Sequence, residues 1–358
     1  MEEVRCKIID AHAHLWLNVD TVVNGQPIHP LEQNRSRSIF FGEERQMLPP
    51  YMTDGQNTAE RFLSNMDYAQ VSAAVITQEF IDGLQNSYLM QVQQRYPTRF
   101  FCFGMPDTRK TGFLAEGQDL IQQGFRGLKI PAARLPQQFL NDEMMQLMHL
   151  MEDRGIILGI ELADGDAQVG QMEEIISECP QLKIAIGHFG MVTRPNWMSQ
   201  IRLARHENVY VESGGITWLF NDEFYPFPSA IRAIKEAADA VGIEKLMWGS
   251  DYPRTITAIT YKMSYDFVTK SPEAFWLARR GRARAPGIPE IRLKEARTKE
   301  DPGYPRLHSI DGKRKEKDHE KDYLCRDGDR YAPDDGGRHG RRRGKAGTAD
   351  GLAAEDLQ

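Results

Sequence analysis

Eight short apolar runs, each followed by a longer amphipathic stretch, constrain this chain more than any other feature. The runs occupy residues 4–10, 73–77, 100–104, 126–130, 156–161, 183–187, 208–212 and 245–249. Stretches of helical periodicity occupy 58–68, 83–96, 112–123, 142–154, 168–178, 195–206, 228–241 and 256–269. Runs this short, rich in β-branched and aromatic residues, read as strands, and the longer stretches as helices with one apolar face. A helix between two strands returns the chain to the start of the sheet, so the strands lie parallel. Eight such units predict an α/β fold, a (β/α)8 TIM barrel over residues 1–270. The rival, an open doubly wound sheet, is disfavoured because no GxGxxG follows the first strand.

The composition fits. The chain has 358 residues, against roughly 250 for one barrel, and 41% of them are hydrophobic. A net charge of −6 gives no overall reason to expect nucleic acid binding. No run approaches the ~18 apolar residues of a membrane span. Met1-Glu2-Glu3 is acidic and leads directly into a strand, so no signal peptide is expected. The cysteines, at 6, 102, 179 and 325, form no CxxC pair and read as reduced, mostly buried thiols, which points to the cytoplasm.

Two segments depart from the repeat. Residues 17–57 separate the first strand from its helix, and loops this long are usually functional. Phe40, Phe41, Met47, Leu48 and Tyr51 predict a packed, lid-like cover over the barrel mouth. Residues 271–358 carry basic clusters at 279–284, 313–317 and 341–343, interspersed with acids, and few aliphatics. Such a segment buries too little apolar surface to offset its ordering entropy and is expected to be a disordered, solvated tail.

Candidate chemistry falls at the carboxyl ends of the strands, where barrels of this kind carry their active sites. Asp10-Ala11-His12-Ala13-His14 closes the first run. Side chains two apart on a strand point the same way, and two convergent imidazoles suit a divalent transition metal. His188 follows the sixth run in Ile186-Gly187-His188-Phe189-Gly190, where the glycines would let a ligand approach. Asp251 follows the eighth, in Trp248-Gly249-Ser250-Asp251-Tyr252-Pro253, as a metal ligand, a proton acceptor or a helix N-cap. Lys129 ends the fourth run, to hold a carboxylate, polarise a carbonyl or form an ion pair. Glu161, with Asp164 beyond it, ends the fifth as ligand, base or rim residue. Glu212 and Ser213 end the seventh; with Trp218 they are candidate substrate contacts, and Gln78 and Asp107 are weaker ones. His29, His149 and His206 read as surface residues.

The segments IDAHAHLW, IGHFG and WGSDYP, in this order, resemble the amidohydrolase-related family of metal-dependent hydrolases over about residues 4–270. Its members include lactonases of sugar acids and dicarboxylates, and non-oxidative decarboxylases. The resemblance implies that His12 and His14 are metal ligands. It makes His188 the residue that polarises the substrate carbonyl or assists proton transfer, and Asp251 a ligand or the acceptor of the water's proton. The implied cofactor is a divalent metal, zinc first, with manganese or iron as alternatives; some lactonases of the group work without a metal. Two features depart from the pattern. Glu161 stands where the family has a strand-five histidine, which implies either that it replaces that residue as an oxygen ligand or that the metal is weakly held or absent. Near Ser271 the helical apolar periodicity stops abruptly, as a change of reading frame would leave it. The expected reaction is opening of a lactone or similar cyclic ester or amide of a small organic acid. Decarboxylation of an unsaturated or aromatic acid, and a non-catalytic barrel that binds a small acid, are the alternatives. The expected partner is a small carboxylate or lactone, with no nucleic acid or membrane. By analogy with the family the chain could form homo-oligomers.

Overall fold

A computed structural model describes residues 8–270. The barrel opens with β1 (Ile8–His14), and a four-stranded antiparallel sheet interrupts it: β2 (Thr21–Val23), β3 (Gln26–Pro30), β4 (Arg37–Phe40) and β5 (Glu43–Gln46). Seven further barrel strands follow, each with its helix. They are β6 (Val71–Thr77), β7 (Phe100–Cys102), β8 (Gly127–Pro131), β9 (Ile157–Glu161), β10 (Ile184–Ile186), β11 (Val209–Glu212) and β12 (Leu246–Met247). The helices are α1 (Ala59–Ala69), α2 (Asn86–Arg95), α3 (Phe113–Gln123), α4 (Asp142–Asp153), α5 (Val169–Glu178), α6 (Trp197–Arg202), α7 (Ile216–Leu219), α8 (Pro228–Val241) and α9 (Met263–Thr269).

The barrel strands are parallel throughout, in two ladders, β1-β6-β7 and β8-β9-β10-β11-β12. Both seams are stitched. Gly104 bridges to Leu128, with Lys129 N–H donating to Gly104 O at 2.8 Å. Ala13 bridges to Tyr252, with His14 N–H donating to Tyr252 O at 2.7 Å and Asp251 N–H to His12 O at 2.8 Å. The eight strands therefore form the predicted TIM barrel.

Local chemistry explains the outer helices. The Thr58 hydroxyl caps α1 by accepting from Arg61 N–H, and Asn141 caps α4 by accepting from Met144 N–H at 2.9 Å. Pro228 sits in the first turn of α8, where its missing N–H costs nothing, and Ile231, Ile234 and Ala238 bury the inner face. The main core packs these faces on strands buried from both sides, as Leu128, Ile130, Leu158, Ile160, Ile184 and Val211 are.

Several boundaries differ from the sequence expectation. β1 runs to His14 rather than ending at residue 10, because pairing with β6 continues to His14↔Thr77 beyond an irregularity after Asp10. The sixth helix breaks into α6 and a 3-10 turn, Leu203–Arg205. The eighth is shorter than expected, with a 3-10 turn, Arg254–Thr257, ahead of α9. Residues 17–57 carry the small sheet, so His29 lies in a strand. Val23, Ile28 and Phe40 of that sheet pack with Phe80 and Met105 from loops that follow β6 and β7. Leu48 and Met52 are buried against Trp16, while Tyr51 is exposed. Cys102 and Cys179 are free and buried, as expected. Cys6, Cys325, the expected disordered tail and the frame change near Ser271 lie outside the described residues. No helix among the described residues is long and apolar enough to cross a membrane.

Candidate metal centre at the carboxyl ends of the strands

His12 and His14 project from β1 with Nε2 atoms 2.9 Å apart. Asp251, just past β12, brings Oδ1 to 3.2 Å from His14 Nε2 and 3.5 Å from His12 Nε2. The three ligand atoms form a triangle with sides of 2.9, 3.2 and 3.5 Å. A tetrahedral ion with bonds of about 2.0–2.1 Å separates its ligands by about 3.3–3.4 Å. Two imidazoles and a carboxylate at this spacing therefore fit a divalent ion of the zinc class.

Each imidazole is aimed by a carboxylate on its other nitrogen. His12 Nδ1 meets Glu212 Oε1 at 2.7 Å, and His14 Nδ1 meets Asp82 Oδ2 at 2.6 Å. A carboxylate there holds a proton on Nδ1 and turns Nε2 toward the other groups, the usual support for a ligating histidine; a bound ion would displace the Nε2 proton that His14 carries toward Asp251. Asp251 is held similarly, its Oδ2 accepting from Trp218 Nε1 at 2.6 Å. Its side chain thus faces His14 and Trp218 rather than capping the next helix.

A second group lies alongside. The Glu161 Oε1 accepts from Lys129 Nζ at 2.5 Å and lies 3.3 Å from His188 Nε2. His188 Nδ1 lies 3.1 Å from Gly214 O, and its ring centroid is 4.7 Å from that of His12. His12, Glu161 and His188 each offer a ligand atom within 4.8 Å of the other two. The four residues His12, His14, His188 and Asp251 thus cluster together, with Lys129 and Glu161 as a buried ion pair beside them. His188 (φ 56°) and Asp251 (φ 57°) both occupy the left-handed region, which costs non-glycine residues energy and is common at functional sites.

Electrostatics follow from burial set against these contacts. Burial pushes the His12 imidazole down, and the pull of Glu212 does not restore it, so it is neutral and competent as a ligand. Burial also lowers His14 and His188, but their carboxylate neighbours win. Asp82 and Asp251 carry His14 well above its ordinary value, and Glu161, Asp251 and Glu212 lift His188 to about 9. Burial raises the Asp251 carboxyl, yet the His14 hydrogen bond and the three imidazoles hold it below the usual range. Glu161 is likewise held well below its ordinary value, against burial, chiefly by Lys129 and then His188.

Glu212 points inward rather than toward open space. Besides His12 it accepts from His188 N–H at 3.1 Å and Gly214 N–H at 2.5 Å. The glycines flanking the site make room for this packing. A Cβ at Gly187 would lie 2.9 Å from Glu212 Oε1, and one at Gly214 2.7 Å from Glu212 Oε2 and 2.9 Å from His12 Nδ1. Ser213 Oγ accepts from Gly249 N–H at 3.2 Å. Gln78 donates to Phe103 O and Asn86, and accepts from Gln85 N–H, tying loops together. Asp107 is engaged by Arg109 and Lys110, and Asp164 by Arg194, so these three belong to the scaffold around the mouth. His206 pairs with Glu173. Asp82 was not singled out in the sequence; its only signal is an acid in the loop after a barrel strand.

The family model described as Amidohydrolase matches residues 9–275. Among solved structures, the chain is similar to a probable 2-pyrone-4,6-dicarboxylic acid hydrolase from Acinetobacter baumannii with citric acid bound. The identity is 20% over 74% of this chain and 92% of that one, with a TM-score of 0.54. It is also similar to an amidohydrolase from Burkholderia multivorans with bound zinc, at 14% identity over 74% and 91% of the two chains and a TM-score of 0.55. At these identities the likeness shows the fold alone. A search of curated proteins gives no match. With the match to the family model covering most of its length, this chain belongs to the Amidohydrolase family.

Proposed function

We propose that this protein is a metal-dependent hydrolase that opens a lactone or similar cyclic ester or amide of a small organic acid. The observation that carries the reading is the triangle of His12 Nε2, His14 Nε2 and Asp251 Oδ1, with its two supporting carboxylates. These three residues would hold a divalent ion, zinc by donor type, while Glu161 groups with His12 and His188 rather than with this triangle. Such an ion supplies an acidified water, of pKa near ~7, and a Lewis acid for a carbonyl oxygen.

The chain's own residues do the rest. Asp251, held in place by the Trp218 indole, accepts the attacking water's proton and returns it to the leaving oxygen. His188, anchored through Nδ1 at Gly214 O, presents Nε2–H where negative charge develops on the carbonyl oxygen. Lys129 holds Glu161 and contributes positive charge at the wall; a substrate carboxylate would meet Lys129 and Arg254, which stands three residues past Asp251 and donates to Gln46 O at 3.2 Å. The 17–57 insertion serves as the lid. It is tied by Arg254, Arg109 and Gln85 to loops that follow β12, β7 and β6, all at the mouth.

The test combines metal analysis with a substrate panel. Purified protein is expected to carry about one equivalent of a divalent transition metal at this centre, lost in His12→Ala. It should open lactones of small acids, with kcat lower by about 10²–10⁴ in Asp251→Asn. Carbon dioxide release from aromatic or unsaturated acids without lactone opening would make it a decarboxylase. Metal binding with no turnover of either panel would make it a binding protein.

A further inference from the structure

A second group of metal-type donors lies at the other end of the barrel. Barrel helices run opposite to the strands, so their carboxyl ends lie at the strands' amino ends, away from the histidine pocket. There His149 and Glu152, one turn apart on α4, meet Cys179, the residue that ends α5. Cys179 Sγ lies 3.4 Å from His149 Nδ1, and one ligand atom from each of the three residues lies within 4.8 Å of the others. Tetrahedral zinc, with Zn–S of about 2.3 Å and Zn–N of about 2.0–2.1 Å, separates sulfur from nitrogen by about 3.5 Å. The thiol is buried, the carboxylate half-buried and the imidazole exposed, so the group opens to solvent on one side. Glu152 is held by Gln181 N–H, which donates to its Oε1 at 2.6 Å.

The field at this spot favours a cation. Two helix carboxyl ends, each with partial negative charge, converge there, and neither helix has a basic residue in its last turn, although Arg154 follows α4. Burial, and then the carboxylates of Glu152, Glu178 and Asp153, push the Cys179 thiol up to about 11.

We propose that His149, Glu152 and Cys179 form a second, peripheral site for a zinc-class divalent ion, stapling the end of α4 to the end of α5. On binding, the thiol releases its proton to solvent. The thiolate sulfur, the His149 Nδ1 lone pair and a Glu152 oxygen become three ligands, with water as the fourth. The site does not depend on the chemistry at the mouth. The competing account is a plain thiol–imidazole contact that binds nothing.

Cobalt(II) separates the two, because a thiolate ligand gives a sulfur-to-cobalt charge-transfer absorption that the sulfur-free centre at the mouth cannot produce. The full-length protein, reduced and stripped with chelator, is titrated with cobalt(II). About one equivalent is expected to raise this band. The band should vanish in Cys179→Ser, need at least tenfold more cobalt in His149→Ala, and persist in His12→Ala. His149 is exposed, so that variant should keep the wild-type circular dichroism even if Cys179→Ser folds poorly. Zinc should raise the melting temperature of His12→Ala but not of the double variant His12→Ala/His149→Ala. Absence of the band, or a band unchanged in Cys179→Ser or in His149→Ala, overturns the proposal.

Discussion

At the residue scale, the metal-competent geometry depends on which nitrogen of each imidazole is free. Two histidines at i, i+2 on a strand are visible in any sequence, but their Nε2 atoms converge here because Glu212 and Asp82 occupy the far nitrogens. Glu212 could be picked out as a strand-end acid, though as a substrate contact. Asp82 could not, because it lies in a 3-10 turn with no motif around it. Replacing such a supporting carboxylate typically weakens metal binding by about 10–100-fold. Asp82→Asn is therefore expected to raise the metal dissociation constant at the mouth by that factor while changing stability little. Competition against a chromophoric chelator measures it, and wild-type affinity in Asp82→Asn would remove Asp82 from this role.

The insertion after β1 shows how far element-scale reasoning reaches. Its apolar residues announced a packed segment, and Phe40 and Leu48 are indeed buried, but the sheet itself went unread. Strands of three to five residues carrying Glu, Arg and Gln have no clear alternation. The overlooked signal was the turns. Asn24-Gly25 joins β2 to β3 and Phe41-Gly42 joins β4 to β5, all four residues with positive φ. Asn-Gly between two extended runs is the strongest short-range hairpin signal. The ring of Phe40 packs with Val23 and Ile28 of the same sheet and anchors it on Phe80 and Met105. Phe40→Ala is expected to cost about 3 kcal/mol and to act locally. Hydrogen exchange should show the amides of β2–β5 losing protection while β8–β11 keep theirs. Equal loss throughout would mean that insertion and barrel unfold as one unit.

For the whole molecule, the seam between β1 and the segment after β12 closes the barrel and aligns Asp251 with His12 and His14. Asp10, fully buried, clasps it. Its carboxylate accepts from His12 N–H, Ser250 N–H, the Ser250 hydroxyl at 2.5 Å and the Tyr261 hydroxyl at 2.8 Å. Asp10→Ala would leave four buried donors without an acceptor, at a cost of about 3–5 kcal/mol. The urea midpoint should fall with little change in slope, and metal affinity should fall with it because Asp251 loses its register against His12 and His14. Unchanged stability would show that the backbone hydrogen bonds at the seam suffice.

The order of the barrel strands with their helices, and the barrel they build, were determined by the sequence alone. These depend on local periodicity and on short motifs that any stretch displays by itself. Only the tertiary structure decided which carboxylate aims which histidine, that Glu161 is bound to Lys129, and that glycines beside the site make room for Glu212. Such pairings join residues 68 and 200 positions apart and turn on fractions of an ångström in a close-packed interior. No local pattern encodes them.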